Sequence, residues 1–168
     1  MAETDTIAPS ITSVTFTDNI VTLGDDGFEL ENLPITLGLT DNLSGVEGFY
    51  LTWSSPIGVS VTAYNMGMDI TTSGEAVPQW GTNLASTARK GEYTLTSIRI
   101  SDYAGNSVTI NADSLIDYGL TAEQFSFNVV GSNASDIRNP SITSVSFTNK
   151  TVILGDDGFE LENLPITL

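Results

Sequence analysis

Cysteine and histidine are both absent from the 168 residues of the chain. Without cysteine there can be no disulfide bonds and no thiolate metal sites, and without histidine there is no imidazole catalysis and no common zinc site. A metal ion bound by this protein must therefore be held by oxygen atoms, and oxygen ligands favour calcium.

Positive charge is scarce and unevenly placed. The chain has 5 basic residues against 21 acidic ones, which gives a formal net charge of −16. The basic residues all come after position 88 and are Arg89, Lys90, Arg99, Arg138 and Lys150. Nucleic acids and anionic membranes attract proteins through positive charge, so we expect neither as a partner. Such a surface suits high salt, which screens the repulsion, and it suits divalent cations.

Long apolar runs are missing as well. No stretch approaches the roughly 20 apolar residues of a membrane-spanning helix, so we expect no insertion into a membrane. The opening residues MAETDTIAPS lack the basic and apolar regions of a signal peptide. We interpret the chain as an excerpt of a longer protein.

The strongest pattern that is present is an internal repeat. Residues 9–37 recur at 140–168 with a constant offset of 131 residues, and five of the 29 positions differ. Solenoid repeats have periods of roughly 20–50 residues, so this offset suits whole domains joined in tandem. We interpret 1–8 as a linker from a preceding repeat, 9–139 as a complete repeat, and 140–168 as the first two strands of the next.

Apolar and polar residues alternate along much of the chain, as a strand with one buried face requires. The alternating sets are Val14 and Phe16; Leu33, Ile35, Leu37 and Leu39; Phe49, Leu51 and Trp53; Val59, Val61 and Ala63; Tyr93 and Leu95; Ile98 and Ile100; Val108 and Ile110; and Phe125, Phe127 and Val129. The change of parity between Leu95 and Ile98 predicts a bulge at Ser97. Seven or more short strands separated by turn residues predict an all-β sandwich.

Two local features refine this prediction. Pro34 lacks a backbone donor, so its strand should lie at a sheet edge or begin there. A short helical turn is expected near residues 113–118, where Asp113 or Ser114 could cap it.

Two fragments carry a family resemblance. TDNLSGVEGFYLTWSSPIG (40–58) and GEYTLTSIRISDYAGNSVTI (91–110) resemble bacterial Ig-like repeats of large extracellular adhesins and surface proteins, with the pattern D-x-L-S-G-V … D-x-A-G-N. The resemblance covers residues 10–111 and implies an antiparallel Ig-like β-sandwich outside the cell, at a bacterial surface. Asp41 with residues 42–45 matches the first motif, and Asp102, Gly105 and Asn106 match the last. Residues 111–130 depart from a minimal seven-strand module and are expected to add a strand.

The acidic residues suggest calcium at the junctions between modules. In an Ig-like sandwich, Asp41 and Asp102 would lie where the linker enters, near residues 3–5 here, or near 135–136 for the next repeat. The loop 24–32 would lie at the opposite end and holds four acids in nine residues. Grouped carboxylates, amide side chains and carbonyl oxygens can supply the six to eight ligands of calcium. The candidate metal ligands are Asp25, Asp26, Glu29, Asp41, Asp102, Asn106, Asp136, Asp156 and Asp157.

Other interpretations of these residues stay open. Asp-Gly pairs are ordinary in turns, and Asp102 and Asn106 can simply hydrogen-bond their own loop. Trp80 is a candidate for ligand binding, alone or with Tyr50 and Tyr64 as a platform for sugars, whereas Trp53 shares the parity of core residues. Every acidic cluster falls in a turn and nothing marks a pocket, so we expect no enzyme.

These features predict a non-catalytic structural extender or adhesion module whose partners are neighbouring repeats and, outside the cell, a polysaccharide or surface ligand. An accessory carbohydrate-binding module of a secreted hydrolase is the alternative. Residues 140–168 are either a truncated repeat or a strand pair that exchanges between copies and builds a filament.

Overall fold

The computed structural model describes residues 4–131 and, further along the chain, residues 144, 146, 147, 166 and 167. Within these residues the protein is all-β, apart from short 3₁₀ helices at Leu30–Asn32, Ala112–Tyr118 and Ala122–Phe125. The strands are β1 (Ser10–Phe16), β2 (Ile20–Thr22), β3 (Phe28–Glu29), β4 (Ile35–Thr40), β5 (Val46–Ser54), β6 (Ser60–Ile70), β7 (Ser73–Ala76), β8 (Trp80–Gly81), β9 (Asn83–Leu84), β10 (Gly91–Asp102), β11 (Ser107–Asn111), β12 (Phe127–Val130), β13 (Ser146–Phe147) and β14 (Ile166–Thr167).

Two sheets enclose one apolar core, which confirms the predicted all-β sandwich. The smaller sheet has the order β1-β4-β7, and the larger has the order β2-β12-β10-β5-β6-β8, with β11 also paired to β10. The alternation of apolar residues creates this core, because every second side chain of a strand points to the same face. The largest fully buried side chains are Trp53, Phe49, Phe125, Phe127, Leu30, Ile35, Leu37, Leu39, Leu51, Ile98, Ile100 and Ile110.

The predicted bulge is present in β10. The pairing of β10 with β5 shifts register between Leu95 and Ser97. Residues on both sides of the shift, Leu95 and Ile98, are buried. The extra residue therefore keeps the two halves of a twelve-residue strand facing the same core. The prediction for Pro34 is confirmed too, since β4 begins at Ile35.

The expected additional strand in 111–130 is β12. Both β11 and β12 pair antiparallel with β10, β11 with its second half and β12 with its first. The segment between them folds out as two 3₁₀ helices and returns through Phe125, whose carbonyl oxygen accepts a 2.7 Å hydrogen bond from Trp53 Nε1. This bond ties the segment to the core.

Three local predictions need correction. Phe125 is buried but belongs to a 3₁₀ helix and not to the strand that follows. The helical turn near 113–118 exists, but its N-cap is Asn111, which makes no side-chain capping bond. Val59 is 55% exposed and precedes β6, because the turn at 55–58 delays the start of that strand.

The chain divides into two compact units, Met1–Ser135 and Asp136–Leu168. In the second unit β13 pairs with β14, Ser146 with Thr167 and Phe147 with Ile166. This register repeats that of β1 with β4, where Thr15 pairs with Thr36 and Phe16 with Ile35. The described part of the second unit therefore follows the 131-residue offset of the sequence. No helix among the described residues is long and apolar enough to cross a membrane.

Candidate metal centre

The long strand β10 defines two poles of the first unit. Its last residue, Asp102, pairs with Val46 at the start of β5, and the chain enters the sandwich beside this end. We call it the N-terminal pole. Its first residue, Gly91, pairs with Val129, where the chain leaves β12, and this end is the C-terminal pole. A twelve-residue strand separates the poles by about 35 Å.

Three aspartates converge at the N-terminal pole. Asp5, Asp41 and Asp102 each offer one carboxylate oxygen, and these oxygens lie within 4.8 Å of one another. Asp41 is 7% exposed and Asp102 is fully buried, whereas Asp5 is half-buried. Asp41 directly follows β4, Asp102 ends β10, and Asp5 belongs to the segment before β1. The sandwich thus brings together three positions that are far apart in sequence.

The loop after β4 is organised around Asp41. Its Oδ2 accepts hydrogen bonds from the backbone amides of Leu43 at 3.1 Å and Gly45 at 2.7 Å. Gly45 has a φ of +86°, and a Cβ there would lie 2.7 Å from the carbonyl oxygen of Ile70. The motif D-x-L-S-G therefore has a local structural reason, with aspartate as acceptor and glycine where a side chain would not fit.

The turn between β10 and β11 is organised around Asp102 in the same way. Its Oδ1 accepts from the backbone amide of Asn106 and its Oδ2 from the Asn106 side-chain amide, both at 2.7 Å. These bonds use the backbone N–H and one side-chain N–H of Asn106, and they provide a donor for each oxygen of a carboxylate that has no access to water.

Asp5 connects the entering segment to the loop after β4. Its Oδ1 accepts from the amide of Ile7 at 3.1 Å and its Oδ2 from the amide of Ser44 at 2.8 Å. The pKa of Asp5 is lowered, first by the Ser44 hydroxyl, a dipole that lies near the carboxylate without the geometry of a hydrogen bond, and then by the amide of Ile7. These contacts stabilise the charged carboxylate, so the segment is held to the loop by an ionised side chain.

Two oxygen atoms at this pole lack partners. Asp41 Oδ1 and Ser44 Oγ are the buried side-chain polar atoms of the described residues that make no hydrogen bond. A buried oxygen without a partner is costly, and such atoms are rare in folded proteins. Both belong to the loop that carries one of the three aspartates. The site therefore has unused ligand capacity as well as an excess of negative charge.

This donor set fits a hard divalent cation. Calcium takes oxygen ligands from carboxylates, hydroxyl groups, carbonyls and water, and it tolerates irregular arrangements. Asp5, Asp41 and Asp102 would supply the charged ligands, and Ser44 Oγ is a further oxygen nearby. The hydrogen bonds already formed by Asp41 and Asp102 do not compete with an ion, because each carboxylate oxygen has more than one lone pair.

The other predicted acidic cluster lies at the opposite pole. Asp25 and Asp26 are exposed in a turn closed by a bridge between Gly24 and Gly27, and the preceding Leu23 donates to the carbonyl of Val130. Glu29 is also exposed. Within the described residues, these acids are not part of a three-carboxylate group like that of the N-terminal pole.

Two neighbouring carboxylates in the loop 24–32, those of Glu29 and Glu31, interact with each other. The pKa of Glu31 is raised, chiefly by a hydrogen bond with the Glu29 side chain, because a shared proton relieves the repulsion of two neighbouring carboxylates.

The remaining candidates, Asp136, Asp156 and Asp157, lie outside the described residues. At the 131-residue offset, Asp136 stands at the position of Asp5 in the next repeat. Sequence reasoning placed the linker near Asp41 and Asp102 but did not count Asp5 as a ligand. The signal was available, since Asp136 was already a candidate and Asp5 is its counterpart.

Trp80 lies away from the metal candidates. It belongs to the short edge strand β8, and it is 43% exposed. Its ring stacks on Tyr64, which stacks on Tyr50. Trp53, by contrast, is fully buried in the core, as its parity predicted.

Comparisons with known proteins give little further information. No family model matches the chain, and no curated protein matches it. A solved structure, Cwp6 from Clostridium difficile, is similar to the chain with a TM-score of 0.44 and 13% sequence identity. The similarity covers 77% of this chain and 19% of that one, so this chain corresponds to about a fifth of that protein. Similarity this low does not assign a function.

Proposed function

We propose that this chain is a non-catalytic structural module of a tandemly repeated protein of the bacterial surface, and that calcium bound by Asp5, Asp41 and Asp102 fixes the linker to the module. The proposal combines a repeat of whole-domain length with a convergent acidic site at the pole where the linker enters. Its biological role would be that of a spacer: tandem modules would hold a binding region away from the cell surface.

The unpartnered Oδ1 of Asp41 carries the metal assignment. A carboxylate whose only task is to organise its own turn needs the bonds that Oδ2 makes to Leu43 and Gly45. It does not need a second, buried oxygen without a donor. A cation between the three carboxylates would satisfy that oxygen and remove the repulsion among them.

The position of Asp5 in the chain determines what an ion at this site would hold together. Asp41 and Asp102 belong to the two sheets of the sandwich, whereas Asp5 precedes its first strand. An ion shared by all three would attach the linker to both sheets. At the 131-residue offset Asp136 is the counterpart of Asp5, so the same attachment would recur in each repeat. The array would then be stiffer when calcium is present than when it is absent.

The extracellular location and the lack of catalysis rest on the sequence. Ig-like repeats of the D-x-L-S-G-V … D-x-A-G-N type belong to surface proteins, and the loops that carry those motifs also carry the candidate ligands. A chain without histidine or cysteine lacks the commonest general base and thiol nucleophile. The acids that converge accept hydrogen bonds from backbone amides.

Thermal unfolding in EDTA, in millimolar calcium and in millimolar magnesium tests the metal assignment. An ion that binds the folded state alone, at about a hundredfold excess over its Kd, adds about 2.7 kcal/mol to the free energy of unfolding. For a domain of this size that corresponds to a rise in Tm of about 5–10 °C. We expect this rise with calcium and a much smaller one with magnesium, which prefers a regular octahedral shell.

Two variants locate the ion. Asp41→Asn keeps the shape and the acceptor for the loop amides but removes the charge, so it should lose most of the calcium-dependent rise in Tm. Asp25→Asn, in the exposed turn of the opposite pole, is the matched control and should keep it. Equal calcium responses of the two variants, or none in the parent chain, would remove the metal from the proposal and leave the acids as turn formers.

A further inference from the structure

A row of side chains, which we call the aromatic row, crosses the outer face of the larger sheet. The cross-strand pairs Thr109–Arg99, Arg99–Tyr50, Tyr50–Tyr64 and Tyr64–Trp80 connect five strands. Residues paired directly across strands point to the same face, so these five side chains lie side by side. With neighbouring strands about 4.8 Å apart, the row is about 19 Å long.

Three aromatic rings form a continuous stack within this row. The ring centroids of Tyr50 and Tyr64 are 5.2 Å apart with an interplanar angle of 17°, and those of Tyr64 and Trp80 are 5.6 Å apart at 25°. The stack ends at Trp80, on the edge strand of the sheet. Since Tyr64 covers the inner side of the indole, the 43% of Trp80 that is exposed includes the face turned away from the stack.

Hydroxyl and amide groups line the next row of the same face. The pairs Asn111–Ser97, Ser97–Thr52 and Thr52–Thr62 run parallel to the aromatic row, and Thr82 hydrogen-bonds to Thr62 at the edge. On the other side the pairs are Ser107–Ser101 and Gly48–Met66. None of these paired positions is acidic, but Glu47 borders the row and its Oε2 accepts a 3.3 Å hydrogen bond from the Ser101 hydroxyl.

One positive charge lies in the middle row of this surface. Arg99 is exposed and is the one charged residue among the positions of the three rows. The guanidinium group of Arg99 stands among the uncharged side chains of the three rows, with Glu47 at their border beside Ser101, and it is the group on this face that can pair with an anion. The guanidinium fork suits a carboxylate, which it can bind through two parallel hydrogen bonds.

We infer that this face of the larger sheet binds an acidic polysaccharide. The C–H face of one sugar ring would pack on the open face of Trp80, and hydroxyl groups of the chain would exchange hydrogen bonds with the threonine and serine row. A carboxylate on a neighbouring sugar would pair with Arg99. A row of about 19 Å favours a saccharide chain over a single sugar. This inference does not depend on the calcium site, which lies at the N-terminal pole.

A cross-strand aromatic stack also stabilises a sheet without binding anything, so the experiment must separate the two roles. Trp80 provides a direct probe, because it is exposed while Trp53 is fully buried. Acrylamide quenching of tryptophan fluorescence should therefore report mainly on Trp80. We expect alginate, a polymer of uronic acids, to protect the protein from quenching in buffered 0.15 M salt, and we expect neutral dextran to protect it much less.

Substitutions assign the binding to the row. By isothermal titration with alginate, Trp80→Ala should weaken binding at least about fivefold, since an aromatic contact of this kind contributes of the order of 1 kcal/mol. Arg99→Gln should weaken alginate binding by a similar factor. Ile57→Ala and Lys90→Gln are matched controls, since both residues are exposed and neither belongs to the row. Both controls should bind as the parent chain does.

Stability measurements complete the test. Trp80→Ala and Arg99→Gln must keep the cooperative unfolding transition of the parent chain, so that a loss of binding reflects the surface. If alginate neither binds nor protects Trp80, the inference is wrong and the stack serves the sheet alone. If dextran protects as well as alginate does, or Arg99→Gln binds alginate unchanged, the assignment of an acidic ligand is wrong. Calcium-dependent Tm shifts are unaffected by either outcome, so failure here is distinct from failure of the metal site.

Discussion

The carboxylate of Asp5 accepts a 2.8 Å hydrogen bond from the backbone amide of Ser44, 39 residues further along the chain. This contact joins the segment before the first strand to the loop after β4. In that loop, Asp41 holds two amides with one oxygen and leaves the other without a partner. This hydrogen bond holds the entering segment beside the candidate ligands without an ion. Less conformational entropy is therefore lost when an ion binds.

Removing Asp5 should separate attachment of the linker from stability of the sandwich. Asp5→Ala deletes the acceptor for the Ser44 amide and one of three charged ligands. It should weaken calcium binding and abolish calcium-dependent protection of the Ser44 amide in hydrogen exchange. The amide of Asn106, bonded to Asp102 at 2.7 Å, should stay protected and serves as the internal control. Loss of protection at both amides would mean that Asp5 supports the whole pole and not the linker alone.

The buried Asp102 should matter even without metal. Asp102→Ala leaves the backbone and side-chain amides of Asn106 without their acceptor, so unfolding in EDTA should become easier by about 1–3 kcal/mol. Urea unfolding in EDTA measures this. Asp102→Asn retains one acceptor oxygen and should lose less stability, while losing the response to calcium. Equal stability of all three proteins in EDTA would show that the turn does not depend on this side chain.

The bond from Trp53 to Phe125 predicts how the segment 112–126 is held. Trp53→Phe removes the donor at 2.7 Å from a buried carbonyl oxygen and leaves a gap beside Phe127, whose ring packs edge-on against the indole at 5.5 Å. The free energy of unfolding should fall by about 2–4 kcal/mol. Trp80→Phe is the control for the same chemical change on the surface and should cost far less. Similar losses for the two variants in urea unfolding would contradict the role of this bond.

Glu123 predicts a dependence of stability on pH. Its pKa lies below the ordinary value of 4.5, because its own backbone amide and then the Thr121 hydroxyl donate hydrogen bonds to the carboxylate. A group whose pKa is lowered by folding adds stability above its unfolded pKa and loses it as the pH falls through the folded value. Glu123→Gln should therefore unfold at a slightly lower urea concentration than the parent chain at neutral pH. As the pH falls through the lowered pKa of the folded state and the carboxylate becomes protonated, the two should converge.

Thr121→Val provides the check on this assignment. It removes the hydroxyl donor but keeps the carboxylate, so it should reproduce part of the loss at neutral pH. A difference between parent and Glu123→Gln that stays the same across the acidic range would show that the charge of Glu123 is not involved.

Local chemistry made much of the fold predictable. The alternation of Ile35, Leu37 and Leu39 predicted a strand with a buried face, and the change of parity at Ser97 predicted the bulge in β10, because both follow from the two-residue period of a strand. The D-x-L-S-G and D-x-A-G-N motifs predicted two loops near the linker. The exclusion of sulfur and imidazole ligands followed from composition alone.

Other features depended on contacts between distant residues, and no local pattern contained them. Phe125 reads as part of a strand, but the hydrogen bond from Trp53, 72 residues away, stabilises a helical turn there. Asp5 becomes a candidate ligand only because β4 and β10 end at the pole where it enters, and Asp41 Oδ1 is recognisable as unpartnered only when every nearby donor has a position. The sequence determined the strands, the repeat and the type of ligand atom that a metal ion could find here, since these depend on residue type and spacing. The tertiary structure decided which carboxylates meet and which aromatic rings stack, because the pairing of strands sets those neighbours.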